Sequence, residues 1–497
     1  MESAPAQPQP DAPAPNPRKP IRPLWLAVWL FSGCLVLAGV LYALWPAYEK
    51  SRWLKVKAEW DNGPGLRFAK PPKPRPPDDR NVARHPLFRD CGIEGSKARE
   101  RLLASKPDPP SERRRSDDAH PLGYLDLRGL EGGEGESLED VARRLEAFFA
   151  KDATLEADFD DAMKRPECWW SGEPAPGQFQ EDHQIDCMLA LSARFQLRAL
   201  SEGVLGHHDE ALRSLLRLEP LGTRTQGDER MVPALAAVRA HQTFLETACH
   251  GFDHGWWNRQ ARERIEQTMG GIPDATKRSA PALRAVMLET TSFLVSSGEA
   301  GTLHGDDFGC GCGTRGLVNR FLIAIVPSKA FGYRSARVLM EGWKPVTAHE
   351  PVTGSDIGTW DCEVGDLHDG AIRPGAALNK ASWSFPLRDS MARCTGMFFR
   401  FEIHRSAILL LLAAERYRDV HGTYPPDAKI LAADLKADWP LDPIDGKPIR
   451  YALRPDGFPK VWSVGGDGVD DGGKPGTKPY GDDGDWIWPP ETTKARR

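Results

Sequence analysis

Residues Leu24–Trp45 read LWLAVWLFSGCLVLAGVLYALW, 22 residues without a charged side chain. At about 1.5 Å per residue a helix over this run is about 33 Å long, which matches a hydrocarbon core of about 30 Å. Trp25 and Trp45 fall near its ends, where amphipathic rings prefer the headgroup layer. A signal peptide has an apolar region of about 7–15 residues followed by a small-residue cleavage site. This run is longer and continues into LYALWPAYEK with no such site. A buried core helix is the other use of such a run. The length favours an uncleaved single-pass anchor in a lipid bilayer, spanning 24–45.

The flanks do not orient it. Arg18, Lys19 and Arg22 precede the run and Lys50, Arg52, Lys55 and Lys57 follow it, so positive charge picks neither side. Residues 1–23 carry eight prolines and read as a disordered Pro/Ala-rich tail. Residues 46–120 read as a Pro-rich basic linker. Ten Lys/Arg stand against five Asp/Glu between Glu49 and Arg84, and PPKPRPP occupies 71–77, a composition that favours extended spacers. Over the whole chain the formal net charge is −5, which gives no case for a nucleic-acid partner.

From Ser137 the pattern turns helical. SLED at 137–140 is a capping-box signature, and Val141, Leu145 and Phe148 share one helical face. Apolar residues recur at helical spacing over 183–203 and 208–218, and further helices are expected at 232–248, 257–269, 279–297 and 316–342. LGHHDEALRSLLRLEP has the look of a helical hairpin, but no 34-residue period repeats. Residues 121–395 therefore read as an α-helical domain with a long loop near 343–386. Adjacent His207 and His208 point about 100° apart on a helix and do not make one metal face. Trp169-Trp170 and Trp256-Trp257 are open to two uses, a carbohydrate platform or buried anchors between helices. Eight of the nine cysteines lie outside the anchor. Cys310 and Cys312 form a C-x-C without a second nearby pair to complete a zinc site. None of H-E-x-x-H, G-x-x-x-x-G-K-[ST] or G-x-S-x-G occurs, so no catalytic residue or cofactor-binding motif is assigned.

Residues 396–497 carry the most specific pattern. A helix from near Phe398 is apolar all round between Ala407 and Ala414, which calls for burial on more than one side. Gly422 is placed to end it and Pro425-Pro426 to prevent its continuation. Strands are expected at Ile449–Leu453 and Lys460–Val464, joined by Arg454-Pro455-Asp456-Gly457, a hairpin signal. Tyr417, Gly422, Tyr424 and Pro425, then Leu431, Leu435, Pro440, Asp442, Pro443, Gly446, Pro448 and Tyr451, then Ser463, Gly465, Asp467 and Gly468 follow a recognisable order. On these residues the module resembles the globular domain of the major pseudopilin of type II secretion systems. The chain as a whole resembles bacterial membrane-anchored proteins that append such a module to a helical region. The expected fold is thus mainly α, with one N-terminal transmembrane helix, a helical-hairpin region and a small α+β pseudopilin-like module.

The resemblance implies a calcium site in the Gly/Asp-rich tail, with Asp467, Asp482 and Asp483 as carboxylate ligands and Ser463 as a hydroxyl ligand. Seven Asp/Glu face two Lys between Ser463 and Glu491. The spacing is not that of an EF-hand, because Val469 and Lys478 stand at the third and twelfth positions from Asp467. The family's prepilin-peptidase site is absent, and about 350 residues separate anchor from module, so a processed pilus subunit is not expected. The family's domain faces the extracytoplasmic side. By that resemblance the N-terminus is cytoplasmic and the C-terminal part lies outside a bacterial inner membrane. The leading functional expectation is a non-enzymatic envelope protein with an interaction or scaffold role toward other envelope proteins. The alternatives are an envelope hydrolase acting on a glycan or peptide, and an accessory of a type II secretion or pilus-like machine.

Overall fold

The computed structural model describes residues 22–62, 76–107, 136–169, 183–225, 231–275, parts of 290–300 and 329–340, 384–435, 438–476 and 484–489. The apolar run forms the first half of one helix, α1 (Arg22–Asn62). It is long and apolar enough to cross a membrane, and Trp29, Phe31, Val36 and Leu41 are exposed. The helix does not stop at Trp45. It continues through Pro46 into the stretch expected to be linker, because Glu49, Trp53, Val56 and Trp60 recur on one helical stripe and are all buried. The remainder of that stretch is also partly packed. A 3-10 turn at Val82–Arg84 and helix α2 (Lys97–Leu103) bury Val82 and Leu102, and the turns between them bury Phe88 and Cys91.

Short amphipathic helices follow. Helix α3 (Leu138–Phe149) begins as its capping box requires: Ser137 Oγ accepts from the Asp140 N–H at 3.2 Å and donates to the Asp140 carboxylate at 2.6 Å. After α4 (Leu155–Ala162) comes α5 (His183–Val204), against which α2 and α3 pack. Arg194, in the middle of α5 and 1% exposed, bonds Glu156 Oε1 at 2.7 Å and the carbonyls of Ser105 and Phe149 at 3.3 and 3.2 Å. One buried guanidinium therefore fixes the ends of three neighbouring segments.

Helices α6 (His208–Leu216), α7 (Leu218–Thr225), α8 (Met231–Asp253) and α9 (Arg259–Gly271) complete the bundle. His207 precedes α6 and His208 opens it. Trp256 and Trp257 are buried, and Trp257 Nε1 donates to the Ala248 carbonyl at 2.8 Å. A Cβ on Gly203 of α5 would lie 2.4 Å from the Trp256 ring, and one on Gly251 of α8 would lie 2.2 Å from that of Trp257. These glycines make room for the indoles, so this tryptophan pair is a packing device rather than a carbohydrate platform. Trp169 is half-buried, and Trp170 lies outside the described residues.

Helix α10 (Ser384–His421) begins earlier than Phe398 and crosses the expected domain boundary at 395/396. All of Ala407–Ala414 is buried except Leu409, which is half-buried. One side packs against α8 and α9, and the other against α11 (Ala428–Asp434) and a small sheet. Gly422, at φ +78°, ends α10 in the left-handed conformation, and its N–H bonds the Arg418 carbonyl at 2.7 Å. The sheet runs β1 (Arg450–Leu453), β2 (Pro459–Ser463), β3 (Trp486–Trp488), all antiparallel. The hairpin and its Asp-Gly turn are as expected. Strand β3 is an addition, and it brings Trp488 beside Val461, which also pairs with Tyr451. The helical region and the C-terminal module thus share one apolar core through α10 rather than forming two bodies.

Leu411→Asp should place a carboxylate in that shared core at a cost of several kcal/mol, against a total stability of about 5–15 kcal/mol. Because α10 serves both sides, a thermal melt followed by circular dichroism should show loss of the helical signal, not of the sheet alone. A variant that melts with an unchanged helical transition would show the two sides to be independent.

Candidate functional site

The acidic C-terminal loop is organised around a side chain that sequence reading passed over. Arg450, on β1, lies against three carboxylates: Asp442 at 3.0 Å, Asp470 at 3.1 Å, and Asp445. Asp442 is fully buried and also accepts from the N–H groups of Ile444 and Val464 at 3.0 and 3.1 Å. Burial pushes the Asp442 carboxyl up, while those amides and the Ser463 hydroxyl pull the other way. Trp462 Nε1 donates to Asp470 at 3.1 Å and, with Arg450, holds that carboxyl below its ordinary range. Asp445 is pushed up by burial, but its bonds to Arg450 leave it net lowered.

The expected calcium ligands are placed differently from one another. Ser463 is fully buried and turned to Asp442. Asp467 is exposed, and its two oxygens accept from the N–H groups of Val469 and Gly484, each at 3.0 Å. It thereby ties the two ends of the loop together. Asp482 and Asp483 lie outside the described residues, as do Cys310 and Cys312. The loop closes tightly: a Cβ on Gly465 would lie 2.2 Å from the Gly484 carbonyl oxygen, so that position tolerates only glycine. Among the described residues no group of three His, Cys, Asp or Glu side chains is set to hold a metal ion. The described part of the loop balances its charge with Arg450 and backbone amides.

A second cluster lies where α8, α10 and β3 meet. Gln242 Nε2 lies 2.8 Å from His404 Nδ1 and 3.2 Å from Glu246 Oε1. His404 is buried and packs against the Trp488 ring at 5.4 Å. Among the described residues, Gln242 Oε1, Glu246 Oε2 and His404 Nε2 are buried with no hydrogen-bond partner. Burial drives His404 down to about 3, so its imidazole is neutral above that pH. Burial raises Glu246 to about 7, against the pull of Arg239 at 3.5 Å and the bonds from Gln242 and Gln196. The sequence signal for this cluster was weak. Gln242 and Glu246 are one turn apart, but His404 is 162 residues away.

The third feature is the seam between α1 and the body. Glu49, four residues beyond Trp45, meets Arg337 at 3.5 Å with both side chains buried. Lys50 reaches Glu299 at 3.7 Å and lies 5.6 Å from the centre of the Tyr333 ring, and Tyr333 Oη donates to Glu299. With Trp53, Val56 and Trp60 buried alongside, the helix that carries the apolar run is held by both apolar and ionic contacts. No family model, curated protein or solved structure matches this chain.

Glu246 gives a pH test. Its native value of about 7 exceeds the ordinary 4.5, so the folded state keeps a proton that the unfolded chain loses between those values. Its contribution therefore makes stability fall as pH rises through that window. Glu246→Gln should gain on the wild type from about pH 4.5 to about pH 7, by about 3 kcal/mol, and hold that difference above it. Denaturant titrations at pH 4.5, 6 and 8 measure this. A difference independent of pH would show that Glu246 does not titrate in the fold.

Proposed function

We propose that the chain is a single-pass protein of a bacterial inner membrane, with a cytoplasmic N-terminus and an extracytoplasmic body that acts as a non-enzymatic scaffold for other envelope proteins. The observation that carries this reading is α1. One uninterrupted helix presents an exposed apolar half and buries the stripe Glu49–Trp53–Val56–Trp60 in the body. A body docked on the continuation of its own anchor sits at a fixed height and angle to the bilayer, which suits a platform for partners better than a tethered, freely swinging domain. The shared core through α10 extends that rigidity to the C-terminal module. The accessory role in a secretion or pilus-like machine is the second reading. It is favoured by the order of a long apolar helix followed by an antiparallel hairpin, and it expects co-purification with pseudopilins.

A reporter active only outside the cytoplasm, fused after Arg497, should be active, and the same reporter before Met1 should not. The reverse pattern would overturn the orientation. Trp53→Asp with Trp60→Asp should leave the protein in carbonate-washed membranes yet make residues 46–62 accessible to protease and reduce the partners captured with the full-length chain. Undiminished capture from the loosened variant would remove the case for a rigid platform.

A further inference from the structure

Two buried thiols lie far apart in sequence and together in space. Cys91 sits in the turns between the Val82–Arg84 3-10 turn and α2, and Cys187 lies near the start of α5; both are fully buried. Cys187 Sγ lies 3.7 Å from the Cys91 carbonyl oxygen, across 96 residues of sequence. Their surroundings hold the segments in register. A Cβ on Gly92 would lie 2.4 Å from the Gln184 amide nitrogen, so the Cys91 turn is pressed onto α5. Arg99 of α2 pairs with Asp186 at 3.2 Å beside the thiols.

We infer that Cys91 and Cys187 are the two halves of an intrachain disulfide that fastens the segment following α1 to the helical body. Burial raises the Cys91 thiol, and the Arg99 charge beside the pair favours a thiolate at Cys187.

The oxidant is a disulfide-carrying protein or small molecule that meets the thiols while the fold is open, before they are buried. One cysteine thiolate attacks one of its sulfurs, forming a mixed disulfide and releasing the first donor thiol. The other cysteine attacks the protein sulfur of that intermediate, the Cys91–Cys187 bond forms, and the second donor thiol leaves. Two electrons pass to the donor, and the two cysteine protons end on its thiols. The bond closes a long loop, the case in which a cross-link most restricts the unfolded chain. It would join the turns that follow α1 to α5.

That the bond forms in the cell rests on the extracytoplasmic placement proposed above, since such bonds persist in oxidising compartments. The test has two arms. In the first, the full-length protein in detergent is equilibrated with oxidised glutathione at a denaturant concentration that opens part of the population and is returned to native buffer, its remaining thiols are alkylated after unfolding, and its peptides are mapped without reduction. The expected result is a peptide joining Cys91 to Cys187, with Cys249 alkylated after unfolding. Reductant should lower the melting temperature of this oxidised form by about 5 °C or more, and should not move that of Cys91→Ser. Alkylation of both thiols in the glutathione-treated protein, or pairing of either with another cysteine, overturns the inference, whether or not Cys91→Ser folds. In the second arm, thiols are trapped in intact cells before lysis. A Cys91–Cys187 peptide there supports both readings. Reduced thiols in cells combined with closure in glutathione support the paired site and overturn the extracytoplasmic placement.

Discussion

An apolar helix with no polar face has to be covered on every side, and α10 sets that demand for the whole body. Its Ala407–Ala414 stretch is too short to span a bilayer, so protein must cover it. Helices α8 and α9 cover one side, and the sheet and α11 the other. Neither layer can leave without exposing the same side chains. The cooperative unit is therefore larger than the C-terminal module, and what reads in sequence as a borrowed domain is one wall of a common core. A short three-stranded sheet gains its stability from such an apolar face packed against a helix.

The same core contains polar groups that are costly to bury. Arg194 with Glu156, Arg450 with three aspartates, and Glu49 with Arg337 are each partnered, and each joins segments that apolar packing alone would let slide. Removing one member would strand the other charge, which costs more than the pair contributes. The Gln242–Glu246–His404 cluster is different, because three of its polar atoms lack partners among the described residues. It lies on the seam between α8 and α10, where the two sides of the shared core meet.

The proposed platform role rests on the way α1 continues. A helix that ends in a flexible spacer lets its domain sample many orientations, whereas α1 carries its stripe straight into the body. The residues responsible are two tryptophans, a valine and a buried glutamate. Their charged neighbours Arg52, Lys55 and Lys57 dominate the composition of the segment and gave it the appearance of a basic linker.

What the sequence determined by itself is local. The length of the apolar run, the Ser137 cap, the Asp-Gly turn and the Gly422 helix end are settled by hydropathy and backbone hydrogen bonds acting over a few residues. The all-round apolar character of α10 required burial, but did not say against what. Tertiary structure decided the partners. It chose α8 and the sheet as the cover of α10, the interior as the place of Trp256 and Trp257, Asp442 as the neighbour of Ser463, and Cys187 as the neighbour of Cys91. It also added β3, whose three residues, Trp-Ile-Trp, are too short to announce a strand until β2 offers its free edge. The reason is common to all of these. Contacts across tens to hundreds of residues depend on which surfaces remain to be covered once local elements have formed, and that is fixed by the packing of the whole chain.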